Sequence, residues 1–152
     1  MGRVIVGVIV GSVVTMLVVS AGFIAGLFGL GLDWILEPGS YNATTKWSVI
    51  SIGIGLVGAI IGGLICSLIA RTSIAVKALA AVLLVMGGVS AGLTLMSERP
   101  EPGPRPADET MEVSIPKLQE PAWVAIANPI VGFVGVMIGG CIASRVRRPK
   151  SH

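Results

Sequence analysis

WSVISIGIGLVGAIIGGLICSLIA, residues 47–70, decides the fold. These 24 residues contain no Asp, Glu, Lys, Arg or His. At 1.5 Å rise per residue, about 20 apolar residues cross the roughly 30 Å of a bilayer's hydrocarbon core. Lipid cannot hydrogen-bond a backbone, so a spanning segment is either a helix or a strand of a closed barrel. Barrel strands are short and alternate apolar with polar, whereas this run is continuously apolar. It predicts a transmembrane helix.

Three further uncharged runs flank it: Val4–Leu32, Ala78–Met96 and Ala122–Ser144. Hydrophobic residues make up 53% of the 152, which leaves too little polar sequence to cover a water-soluble domain. The sequence predicts an all-α integral membrane protein with four transmembrane helices in one domain.

Charge at the helix ends sets the orientation. Arg3, Arg71, Lys77, Arg145, Arg147, Arg148 and Lys150 fall on one side with no acid. Lys46, Arg99, Arg105 and Lys117 fall on the other, with all eight acids. Both termini are therefore expected in the cytoplasm, and residues 33–46 and 97–121 outside. The basic tail 145–152 suits anionic lipid rather than nucleic acid. Val4–Leu32 is longer than the hydrophobic region of a signal peptide, which favours an uncleaved anchor helix. Cys66 and Cys141 both lie toward the cytoplasmic ends, where thiols stay reduced. Asn42-Ala-Thr44 is a glycosylation sequon that matters only in a eukaryote.

Trp34, Trp47 and Trp123 all stand at the expected outer boundary, where an indole anchors in the headgroup region. The loop 97–121 begins with alternating proline and charge. Met111, Val113 and Ile115 then alternate with polar residues, as in a short strand or an interfacial strip.

The strongest pattern is a glycine stripe. Gly55, Gly58 and Gly62 recur at helical spacing with Ser51 and Cys66, and Gly132, Gly135 and Gly139 repeat the pattern with Asn128 and Ala143. Gly7-x-x-x-Gly11, Gly22-x-x-x-Gly26 and Gly88-x-x-x-Gly92 occur in the first and third helices. In lipid such stripes let helix backbones approach closely. The segments 55–63 and 132–140 match at glycines 55/132, 58/135, 62/139 and 63/140, which predicts a duplicated helical hairpin. The pattern resembles glycine-zipper membrane segments, and the overall plan is similar to small four-helix proteins of bacterial inner membranes.

Asn128-Pro129 interrupts the fourth span. Proline removes a backbone donor and frees the carbonyl four residues earlier, so this pair is a candidate kink or gate. No ionisable side chain lies within a span, and the sole histidine is His152. The sequence therefore predicts no catalytic, cofactor-binding or metal-binding residues; Asp108, Glu109 and Glu112 are expected to be solvated.

The function expected is that of a non-enzymatic multi-pass membrane protein, an assembly or accessory component of the cell envelope. Its expected partners are the lipid bilayer and, through the glycine-rich faces, a second copy or another membrane protein. The alternative is a small channel or carrier for an uncharged or weakly polar solute. A bacterial inner membrane is the expected location.

Overall fold

The computed structural model describes residues 1–96, 104–106 and 109–146. Four long helices dominate it: α1 (Gly2–Leu30), α3 (Thr45–Ala70), α4 (Ser73–Met96) and α6 (Ala122–Val146). Each is long and apolar enough to cross a membrane. Two single turns complete the helices, α2 (Leu32–Ile35) and α5 (Met111–Ser114), with a 3-10 turn over Ile115–Lys117. The chain is an all-α four-helix membrane protein. The expectations for Glu98–Gly103, Asp108 and Arg147–His152 lie outside the described residues.

Local chemistry sets the helix ends. Gly31, at φ +76°, breaks the first apolar run two residues before its expected end. Thr44 caps α3: its Oγ1 accepts from the Trp47 N–H at 3.1 Å and donates to the Trp34 carbonyl at 2.7 Å. Arg71 closes α3 in the left-handed conformation, with its N–H on the Ser67 carbonyl. Only Arg71 and Thr72 separate α3 from α4, so Lys77 falls inside α4 rather than before it. A lysine this close to the helix start can run its apolar stem along the helix toward water.

Helix order around the bundle is α1, α3, α6, α4. α3 is the central element and carries the most buried residues; it packs against α1 on one side and α6 on the other. α4 packs chiefly on α6 and makes smaller contacts with α1 and with α3, its partner in the tight hairpin. α3 and α6 are parallel: Gly135 faces Leu56 and Ala59, and one turn on Gly139 faces Ile60 and Leu64. α1 runs antiparallel to α3, with Gly22 against Ile54 and Gly7 against Ala70.

Two apolar cores occupy opposite ends. Near the end where α1 starts and α6 finishes, Cys66, Ala70, Ala75, Val76, Leu79, Ala80 and Val136 form a packed cluster with Val4 and Val8. Near the loop end, Ile35, Leu36, Ala43 and Trp47 pack with Phe23, Leu27 and Leu118. Large apolar side chains on the bundle exterior, among them Ile9, Leu17, Phe28, Val85, Leu93 and Ile130, are exposed, as lipid-facing residues are.

Candidate functional site: a cavity in the loop half of the bundle

The close contacts fall where backbones meet. A Cβ on Gly139 would collide with the Ile60 carbonyl, one on Gly63 with the Val136 backbone, and one on Gly62 with Thr15 Oγ1. A Cβ on Gly58 would meet Val19 at 2.6 Å, and one on Gly135 would meet Ala59 at 2.7 Å. The stripe glycines of α3 thus receive α1, while those of α6 receive α3. The matched segments therefore face non-equivalent neighbours: Gly63 faces α6, and its counterpart Gly140 faces Val76 of α4. Gly55 and Gly132, expected at the contacts, have open space where a Cβ would stand. They line a cavity instead.

That cavity has a volume of about 980 Å³ and lies in the loop half of all four helices. Thr15, Val19 and Phe23 of α1 form one wall, and Leu83, Gly87, Ser90, Ala91 and Thr94 of α4 the facing wall. Ser51, Gly55 and Ala59 of α3, with Ala125, Asn128, Pro129 and Gly132 of α6, form the back. Its width follows from the helix order. α1 and α4 close toward each other at Gly11 and Leu79, where a Cβ on Gly11 would stand 2.9 Å from Leu79 Cδ2. Farther toward the loops they separate, leaving Ser90 and Thr94 exposed. The terminal end is sealed by the packed cluster and the loop half is open between α1 and α4.

The expected kink or gate lies on this cavity. α6 continues as one helix through Pro129, which is buried, and a Cβ on Gly87 would meet its ring at 3.0 Å. Asn128 lines the cavity beside Ala125, the residue whose carbonyl Pro129 leaves without a helical donor. Most wall hydroxyls are satisfied locally: Thr15 donates to the Gly11 carbonyl at 2.9 Å, Ser51 to Ser48 at 2.9 Å and Thr94 to Ser90 at 2.9 Å.

Residues 115–120 cross the mouth of the cavity as a strap. Of the two expectations for 111–115, a short strand or an interfacial strip, the strand is replaced by a helical turn, because the Val113 and Ser114 N–H groups both bond to the Thr110 carbonyl and Pro116 favours the 3-10 turn that follows. Only after that turn does the chain extend. Gln119 pairs with the first loop, donating to the Tyr41 carbonyl and accepting from the Ala43 N–H, each at 2.9 Å. Side chains lock the same junction. Glu109 accepts from Tyr41 at 2.6 Å, from Ser114 at 3.1 Å and from Lys117 at 2.7 Å, while Lys117 also donates to the Tyr41 hydroxyl at 3.2 Å. The Lys117 and Tyr41 hydrogen bonds hold the Glu109 carboxyl below the usual carboxylate range. Burial pushes Glu120, on the cavity mouth, above it. Arg105 pairs with Asp33 at 3.3 Å.

The expected tryptophan belt needs one correction. Trp34 and Trp123 are 43% and 47% exposed, as anchors would be, and Lys46 Nζ lies 4.9 Å from the Trp34 ring centre. Trp47 is fully buried and meets Phe23 edge to face at 5.7 Å. Gly26 provides the space: a Cβ there would stand 2.9 Å from the Trp47 ring. Trp47 is thus a core residue under the loops. Among the described residues, no three His, Cys, Asp or Glu side chains converge on a point.

No family model matches the chain, and neither a search of curated proteins nor one of solved structures finds a match.

Proposed function

We propose that this chain is a non-enzymatic multi-pass membrane protein serving as an assembly or accessory component of the cell envelope, not as a conduit. The observation that carries this is the one-sidedness of the cavity. A pore or carrier path needs polar or small-residue lining through both halves of the bundle. Here Cys66, Leu79, Ala80 and Val136 fill the terminal half. Four of the six stripe glycines that suggested a lined path, Gly58, Gly62, Gly135 and Gly139, are instead filled by contacts with neighbouring helices of the chain. Of the helix-packing glycines, those of α3 and α6 therefore serve the fold first, leaving the Gly88-x-x-x-Gly92 pair of α4 without a neighbour.

The basic bias of the helix ends supports cytoplasmic termini, which would put the strapped mouth on the outer face. A bacterial inner membrane is the proposed location. A carrier for a weakly polar solute is the second reading, favoured by Ser51 and Asn128 in the cavity wall. Two experiments on the purified full chain separate them. A partner co-purifying in mild detergent, with no uptake of small polyols into proteoliposomes, supports the accessory role. Solute uptake above that of protein-free liposomes favours the carrier.

A further inference from the structure

The cavity wall carries neutral polar groups that the fold does not use. Ser51, Ser90 and Asn128 each stand six residues from the loop end of their helices, which are Thr45 of α3, Met96 of α4 and Ala122 of α6. At 1.5 Å per residue all three share one level, about 9 Å inside those ends. All three line the cavity. Ser51 donates to the Ser48 carbonyl at 2.9 Å, which leaves its oxygen free to accept. The Ser90 hydroxyl and the Asn128 amide are exposed on the wall and have no hydrogen-bond partner among the described residues. Ala125, on the same face of α6, adds the carbonyl that Pro129 leaves without a helical donor.

The charges nearer the mouth are already taken. Lys117 pairs with Glu109 at 2.7 Å, and Glu120 has a partner within the chain. The open groups are thus uncharged, and Ser90 and Asn128 each offer a donor and an acceptor. Such a set matches a neutral head that also donates and accepts, as a hydroxyl does. A full charge at this level would meet no free opposite charge, and burying it unpaired is costly.

Shape supplies the rest of the ligand. Toward the sealed end the walls are Val19, Ala59, Leu83 and Gly132, and the Thr15 hydroxyl there is spent on the Gly11 carbonyl. From Ser90 to the Gly11–Leu79 contact is eleven residues of α4, about 16 Å. A transmembrane helix is about 10 Å across and needs a groove open along its length, whereas this cavity is closed at that contact and crossed at its mouth by residues 115–120. A flexible hydrocarbon chain fits where a helix does not, and it can enter sideways between the membrane-spanning parts of α1 and α4. We propose that the cavity binds an uncharged, hydroxyl-bearing membrane lipid, its chain toward the Gly11–Leu79 contact and its head among Ser51, Ser90 and Asn128. This inference goes beyond the accessory role and does not depend on it.

The test is native mass spectrometry of the full chain in mild detergent, titrated with monooleoylglycerol or with its phosphate ester, the lysophosphatidic acid of the same chain. The wild type is expected to retain one monooleoylglycerol, in preference to the phosphate ester by about tenfold. Asn128→Leu removes the amide and Ser90→Ala the hydroxyl. Each is expected to lower that retention by about threefold to tenfold, the range that one neutral hydrogen bond gives. Gly55→Leu and Gly132→Leu fill the cavity where nothing stands within 4 Å, and they are expected to lower retention without lowering the melting temperature. Gly53→Leu, also in open space but off the cavity, is the control and should retain lipid as the wild type does. Free glycerol, which has the head without the chain, should not displace the lipid. Equal retention of the two lipids by the wild type would overturn the proposal. So would displacement by glycerol, which would make the occupant a water-borne polyol. Undiminished retention in both cavity-filled variants would mean surface lipid only, and retention unchanged in both Asn128→Leu and Ser90→Ala would remove the head from this level; either result contradicts the proposal.

Discussion

At the scale of single residues, the glycines separate into those that admit no side chain and those that do. Gly63 and Gly139 stand against the backbone of a neighbouring helix, and a backbone cannot turn aside. Gly63→Ala and Gly139→Ala are each expected to lower stability by about 1–3 kcal/mol, the usual cost of overpacking a tight contact. Gly55→Ala and Gly132→Ala meet open space and are expected to raise it by about 0.4–1 kcal/mol by restricting the unfolded chain. Thermal unfolding of the four variants in one detergent checks the ranking, which an equal loss at all four positions would refute.

The stripe was legible in the sequence because helical periodicity puts its members on one face. Which helix covers each glycine was not, because periodicity says nothing of the opposing element. Gly63 and Gly140 therefore stood out only as matched positions of the repeat and not as contact residues, although they sit beside the stripe in both segments. Trp47 was misplaced because depth alone suggested an anchor, while the space left by Gly26 drew it inward. Brominated lipid should therefore quench Trp34 and Trp123 and spare Trp47, a pattern to be read in single-tryptophan variants.

At the scale of elements, the strap is the part the sequence showed least. Its acids looked like solvated loop charges, since a pairing such as Tyr41 with Glu109 spans 68 residues and leaves no local signal. Two carboxyls then give the loop end opposite responses to pH. Glu109, held low by Lys117 and Tyr41, contributes stability that is present above its unfolded value and lost as pH falls through its depressed folded one. Glu120, raised by burial, binds its proton more readily when folded, so the folded state gains as pH falls through the raised value. Stability of the cap is expected to rise on mild acidification and to collapse only below the ordinary carboxylate range. Hydrogen exchange at the Gln119 and Ala43 amides, followed against pH, reads this directly. Glu109→Gln should speed exchange at neutral pH, and protection falling steadily from neutrality downward would contradict the assignment.

At the scale of the whole molecule, four spans followed from four uncharged runs, and the start of α1 and the end of α6 share one end because four helices alternate in direction. The helix order did not follow. A two-residue link joins α3 to α4, yet α6 takes the larger share of the contacts of both. The glycine backbone contacts of Gly63 and Gly139 give α3 and α6 the closer approach, and α4 is left to pack on α6 through Gly140 and Pro129. Gly58→Leu and Gly135→Leu, which force helices apart on either side of α3, are both expected to lower the melting temperature in detergent.

The central claim is a bundle sealed at its terminal half and open at its loop half, and thiol accessibility tests it most directly. Cys66 is fully buried in the sealed half, whereas Asn128 lines the cavity. In a Cys141→Ser background, Asn128→Cys is expected to react with a membrane-impermeant thiol reagent added from the loop side. Native Cys66 is expected to stay unreactive from both sides until the protein is unfolded. Modification of Cys66 in the folded protein, at a rate near that of Asn128→Cys, would mean a continuous aqueous path and would contradict the account.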